Sequence, residues 1–203
     1  MIMHDLPNFG FIECDVPENI LKVLQSEVDS VTQTGFESNE VLAGNIENEY
    51  FLLESKNTVQ EFITNKCQEY SKKWDPGYTR KGTHFDFFEL QTLWVNFQQQ
   101  HEFNPPHVHD GDFSFVIWLK VPFDIKDELE MPMSKKSRMP RAGMFAFQYA
   151  NIFGEPVEIA FPVDKKYEGK MFLFPSELTH QVYPFYTSED SRISISGNVV
   201  GYF

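Results

Sequence analysis

Asn104-Pro105-Pro106-His107-Val108-His109-Asp110-Gly111-Asp112 runs directly into the apolar stretch Phe113-Ser114-Phe115-Val116-Ile117-Trp118-Leu119, and the rest of the chain reads outward from it. The two prolines stiffen the approach. In extended backbone, side chains two residues apart share a face, so His107 and His109 can aim at one point. Asp110-Gly111-Asp112 makes a short acidic turn, and a strand follows. Converging imidazoles beside carboxylates are what a divalent transition metal needs. A third histidine, His180, lies far downstream inside Phe174-Pro175-Ser176-Glu177-Leu178-Thr179-His180-Gln181-Val182-Tyr183-Pro184. The fold is therefore expected to bring His180 opposite His107 and His109. Two exposed loop histidines are the plainer alternative for the pair, but the Pro-Pro lead, the strand behind it and the embedded His180 favour metal. His84-Phe85-Asp86 is a rival motif, placed in an alternating strand instead of at a strand-to-turn junction.

Upstream of the histidine pair, Phe85, Phe87, Phe88, Leu90, Leu93, Val95 and Phe97 predict one long strand or two joined by a bend. Downstream, strands are expected at 113–121, 144–149, 157–161, 171–174, 181–183 and 192–200. Between them, residues 124–142 pass from four acids to Lys135, Lys136, Arg138 and Arg141 among prolines. This predicts a long surface loop, and its basic end makes it a candidate substrate lid. Residues 1–16 predict an edge strand. Pro17 then opens a helix with Ile20, Val23, Leu24, Val28 and Val31 on one face. Residues 35–50 are polar and irregular, with Val41, Leu42 and Ile46 as anchors. A second helix is predicted from Asn57 to Trp74, stopped by Asp75-Pro76-Gly77. Two helices followed by many strands make an α+β domain with a β-sandwich core. We read 1–203 as a single domain: a helical and edge-strand part at 1–82, then a β core at 83–203 carrying the 124–142 loop.

Composition narrows the function. Phe occurs 21 times, which suits the thick interior of two packed sheets. A net charge of −13 argues against duplex nucleic acid as a partner, because phosphate contacts need clustered Lys and Arg. Cys14 and Cys67 share no metal-binding or redox spacing and read as reduced thiols of a cytoplasmic protein. No signal peptide or membrane-spanning run is expected, so no membrane partner is either.

Taken in order, Leu93-Trp94-Val95-Asn96-Phe97, Pro-Pro-His-Val-His, the Ser114–Leu119 strand, Glu168–Ser176 through His180, and Arg192-Ile193-Ser194-Ile195-Ser196 resemble the Fe(II)/2-oxoglutarate oxygenases of marine phages and bacteria. The similarity spans residues 85–203. It implies a double-stranded β-helix (jelly-roll, cupin-like) core with the two N-terminal helices packed on it. It also implies Fe(II) at the open end, with 2-oxoglutarate as cosubstrate and O2 as oxidant. His107 matches the first metal ligand and His180 the distal one. The wider superfamily places a carboxylate two residues after the first histidine, where this chain has His109. Either His109 ligates, or Asp110 or Asp112 supplies the carboxylate. Arg192 with Ser194 resembles the Arg-x-Ser element that holds the distal carboxylate of 2-oxoglutarate, and Asn96 could bond its other end. Glu177 and Tyr183 flank His180 as candidate partners of its ring.

These expectations describe a cytoplasmic oxidoreductase, in the host cytoplasm if phage-encoded. Its substrate could be a protein side chain, a nucleobase, a lipid or a small metabolite. Two rival functions remain: a three-histidine cupin-type dioxygenase that needs no 2-oxoglutarate, and a non-catalytic β-sandwich binding protein.

Overall fold

The computed structural model describes residues 9–34, 43–74 and 85–203. In chain order it contains β1 (Ile12–Asp15), α1 (Glu18–Thr34), β2 (Glu49–Phe51), α2 (Lys56–Lys73), β3 (Phe87–Gln98), β4 (Asn104–His107) and β5 (Phe113–Lys120). Two short helices, α3 (Ile125–Glu130) and α4 (Pro132–Lys135), come next. The chain then forms β6 (Phe145–Ala150), β7 (Pro156–Phe161), β8 (Lys170–Pro175), β9 (Thr179–Val182) and β10 (Arg192–Tyr202). The strands make a six-stranded sheet in the order β1-β8-β5-β10-β3-β2 and a four-stranded sheet in the order β4-β9-β6-β7. Val41, Leu42, His84 and Asp75-Pro76-Gly77 lie outside the described residues.

Period-two alternation divides the central strands between two cores. Phe113, Phe115 and Ile117 of β5, Met171 and Leu173 of β8, and Ile195 of β10 pack with Leu24 and Val28 of α1 and Ile63, Cys67 and Tyr70 of α2. Their neighbours face the other way. Val116, Trp118, Phe172 and Phe174 meet Phe145 and Phe147 of β6 between the sheets. Each fully buried ring adds about 1.5–3 kcal/mol of hydrophobic stabilisation. The Phe-rich composition is thus concentrated in the sandwich interior, where Phe147 and Phe174 lie 4.9 Å apart edge-to-face.

Residues 124–142 depart from the expected loop. They carry α3 and α4, and Glu128 is fully buried. Its carboxylate accepts from the Tyr186 and Thr187 amides and from Thr187 Oγ1 at 2.5–3.0 Å. Arg141, the last residue of the basic end, is tied down as well, its Nε donating to Glu158 at 2.6 Å, while Lys136 and Arg138 are exposed. Charge segregation suggested solvation here. The acceptor role of Glu128 depends on backbone donors that reach it only through the tertiary fold.

Glu27 joins the two long helices. Ser55, at the start of α2, makes no side-chain cap. Instead the Glu27 carboxylate accepts from the Leu53, Glu54 and Ser55 amides and from Ser55 Oγ at 2.5–2.9 Å. Burial alone would raise its pKa, but the bonds from Ser55 and these amides outweigh it and hold the group below its usual value. A lowered folded pKa contributes stability above the unfolded value of about 4.3, and that stability is lost as pH falls through the folded value. Glu27→Gln is therefore expected to lower Tm at pH 7, with the gap from wild type narrowing as pH falls below the unfolded carboxylate value. A gap that does not narrow in acid would contradict the capping role.

Candidate metal centre

β4 lies at an edge of its sheet, where Pro105 and Pro106 forfeit no ladder bonds that a neighbour needs. It pairs with β9 so that His107 stands directly opposite His180, and His180 in turn faces Phe147 of β6. His109 lies just beyond β4, and Ser176 sets its position. The His109 amide donates to the Ser176 carbonyl at 2.9 Å, the Ser176 amide to the Asp112 carbonyl at 3.1 Å, and Ser176 Oγ to the Gly111 carbonyl at 2.6 Å. Gly111 has φ +88°, and a Cβ there would come within 2.7 Å of the Val199 carbonyl oxygen, so the turn requires glycine. Backbone bonds thus stitch the turn after the histidine pair to the turn before the third histidine.

The three imidazoles present ligand atoms within 4.8 Å of one another. His109 Nε2 and His180 Nε2 are 3.1 Å apart. His107 Nδ1–H donates to the Pro105 carbonyl at 2.7 Å and His180 Nδ1–H to the Leu178 carbonyl at 3.0 Å. Those bonds place the proton of each of these two rings on Nδ1 and leave Nε2 unprotonated, the arrangement in which a histidine ligates. Burial lowers the pKa of all three rings. His109 is pushed down to about 3 by burial and by His107, and His180 lies well below its usual value. All three are neutral at pH 7, so metal entry need displace no proton. Phe145 and Phe174 pack against His180 at 5.8 and 4.8 Å and close off its inner side.

The acidic turn faces away. Asp112 Oδ2 accepts from the Gly201 amide at 2.8 Å, and neither Asp110 nor Asp112 joins the cluster among the described residues. Glu177 and Tyr183 were the candidate partners of His180, but the Leu178 carbonyl takes that part. Tyr183 OH instead donates to Glu158 at 2.9 Å.

Trp94, Asn96, Ser194 and Ser196 line the pocket beside the triad. Asn96 and Ser194 are register partners across β3 and β10. Arg192 shares the face of Ser194 and is fully buried outside the pocket lining. Its Nε and Nη2 donate to Gln98 Oε1 at 3.0 and 2.6 Å, Nη1 to the Gly143 carbonyl at 2.9 Å, and Nη2 also to the Tyr183 carbonyl at 3.1 Å. Phe123 and Phe185 lie 5.6 and 5.7 Å from the guanidinium. Burial pulls its pKa down to about 9, with Glu128 opposing, so it stays charged at neutral pH. Sequence reasoning missed Glu49 and Asn104, which also line the pocket, and the clamp made by Ser176. Ser176 and Asn104 sit within the quoted motifs. Glu49 carried no local signal.

A family model described as "Putative 2OG-Fe(II) oxygenase" matches residues 92–198, more than half of the chain. The chain belongs to this 2OG-Fe(II) oxygenase family. It is accordingly an oxidoreductase, of a family that works with Fe(II), 2-oxoglutarate and O2. No curated protein matches it. Among solved structures, the oxygenase is similar to a Pseudomonas putida prolyl-4-hydroxylase, with 15% identity, TM-score 0.52, and 93% of this chain and 91% of that one covered. It is also similar to a Trichoplax adhaerens prolyl hydroxylase in complex with a hypoxia inducible factor peptide fragment, with 12% identity, TM-score 0.54, and coverage of 95% and 83%. A third similar structure is the viral collagen prolyl hydroxylase of Paramecium Bursaria Chlorella virus-1 in its 2OG complex, with 10% identity, TM-score 0.51, and coverage of 95% and 96%. At these identities the likeness is one of fold, the double-stranded β-helix. No helix among the oxygenase's described residues is long and apolar enough to cross a membrane.

Proposed function

We propose that His107, His109 and His180 hold the Fe(II) of this oxygenase, that Arg192 and Ser194 receive the distal carboxylate of 2-oxoglutarate, and that Asn96 steadies Ser194 from the neighbouring strand. The 3.1 Å approach of His109 Nε2 to His180 Nε2 carries the metal assignment. Nitrogens bonded to a metal at about 2.1 Å on adjacent octahedral corners sit roughly 3 Å apart. Three imidazoles also leave the remaining positions open for cosubstrate and O2. When bound, the iron couples loss of CO2 from 2-oxoglutarate to insertion of one oxygen atom of O2 into a substrate C–H bond, the other atom entering succinate.

The chain's own residues supply the surroundings. Three neutral ligands leave the charge of Fe(II) uncompensated, and the 2-oxoglutarate dianion offsets it. Arg192 supports the cosubstrate assignment because its acceptors among the described residues are all neutral. A buried guanidinium in that state favours an arriving carboxylate, and one N–H of Nη1 is not used by those bonds. Phe145 and Phe174 keep water from the inner side of the centre. The free thiols Cys14 and Cys67 fit a reducing, cytoplasmic setting.

The test is an anaerobic titration of Fe(II) into metal-free protein with excess 2-oxoglutarate. The expected result is the weak visible charge-transfer band of the chelated cosubstrate. Iron uptake without the band would favour the three-histidine dioxygenase that needs no 2-oxoglutarate. Absence of iron uptake would overturn both readings.

A further inference from the structure

Three buried oxygens in the histidine pocket have no donor: Glu49 Oε2, Asn96 Oδ1 and Asn104 Oδ1. Unpartnered buried oxygens are costly, so three in one cavity mark a place where donors arrive. Glu49 and Asn96 are 1% and 4% exposed and stand directly opposite each other across β2 and β3. Asn104 comes from β4 of the other sheet, and Gly44 lies between it and Glu49. A Cβ on Gly44 would meet Asn104 Oδ1 at 2.5 Å and Glu49 Oε1 at 3.0 Å. The Asn96 amide nitrogen is turned to the Ser194 carbonyl and Oγ at 3.5 and 3.4 Å, which leaves its oxygen without a donor in the wall of the pocket.

With Glu49 ionised, all three orphan atoms are acceptors, and 2-oxoglutarate brings only acceptors, so it cannot satisfy them. The missing ligand must carry N–H or O–H groups. Glu49 makes a cation the better match, and the Glu102 carboxylate adds negative potential. An ammonium offers three donors in a compact tetrahedral arrangement.

We propose that this pocket is a substrate subsite for a primary ammonium group, with Glu49 Oε2, Asn96 Oδ1 and Asn104 Oδ1 each accepting one of its N–H donors. The substrate class is then a primary amine, hydroxylated at a carbon held near the histidines. This rests on the triad being the iron site. In the empty pocket, burial and Glu102 push Glu49 up to about 7, and an ammonium beside it restores the carboxylate. Glu49 compensates the substrate's charge once Fe(II) and 2-oxoglutarate have compensated each other.

The test is calorimetric titration of the full chain, metal-free and then loaded anaerobically with Fe(II) and 2-oxoglutarate. The probes are n-butylammonium, n-butanol and n-butyrate. Butylammonium is expected to bind at least about tenfold more tightly than butanol, with butyrate excluded. Glu49→Gln keeps the shape and removes the charge, and Asn104→Ala removes one acceptor. Both should weaken butylammonium about tenfold or more without changing iron stoichiometry. Equal binding of butylammonium and butanol would overturn the subsite, as would a folded Glu49→Gln that binds the ammonium as wild type does. A protein that takes up iron and cosubstrate but no ammonium refutes the subsite alone. One that binds the ammonium but no iron refutes the iron assignment alone.

Discussion

His180→Ala is expected to lower iron affinity by at least about a thousandfold, roughly 4 kcal/mol. His180 sits on β9 opposite His107, and its ring is oriented by the Leu178 carbonyl and walled by Phe145 and Phe174. Removing it leaves two nitrogens, and the backbone that oriented the third cannot replace it. The cost to the metal-free fold is smaller, about 1–3 kcal/mol for the cavity and the lost bond. Anaerobic metal loading with thermal unfolding of the metal-free protein separates the two effects. Stoichiometric iron binding by the variant would refute the triad. His109→Asp sharpens the test, because a carboxylate at that position should still ligate, whereas His109→Ala should not.

Arg192→Ala is expected to weaken 2-oxoglutarate about a hundredfold, near 2.7 kcal/mol, while leaving iron uptake stoichiometric. It should also destabilise the protein by about 3 kcal/mol. Each charge-assisted bond to Gln98, Gly143 and Tyr183 holds one strand end to another, and their loss leaves buried acceptors bare. Arg192→Lys keeps the charge and loses the fork, so it should recover part of the stability and little of the cosubstrate affinity. Charge-transfer titration reads the affinity and denaturant unfolding reads the stability. Equal loss of iron and cosubstrate would contradict the role given to Arg192. Unchanged cosubstrate affinity in a destabilised variant would leave it a structural residue only.

Much of this was legible in local pattern. Helical spacing in 18–34 and 56–73 and alternation in the Phe-rich strands marked their elements, because amphipathic periods are set by each element's own geometry. The Pro-Pro-His-x-His stretch and the distal His180 could be singled out for the same reason: i, i+2 geometry and proline stiffness are local. Chain separation hid the rest. Glu128 looked like a solvated loop acid because its donors, at Tyr186 and Thr187, come from a distant segment. Choosing among His109, Asp110 and Asp112 required the Ser176 clamp and the bond from the Gly201 amide that draws Asp112 away.

Sequence by itself therefore determined the kind of fold, the family and the residues worth examining, since each depends on periodicity or motif order along one strand. Tertiary structure alone decided that His107 faces His180, that Arg192 is buried with bonds to Gln98, Gly143 and Tyr183, and that Glu49, in a segment read as irregular, shares a pocket with the histidines. Those are matters of cross-strand register and sheet order. They are settled by which strands burial forces together, a property of the whole chain that no short segment encodes.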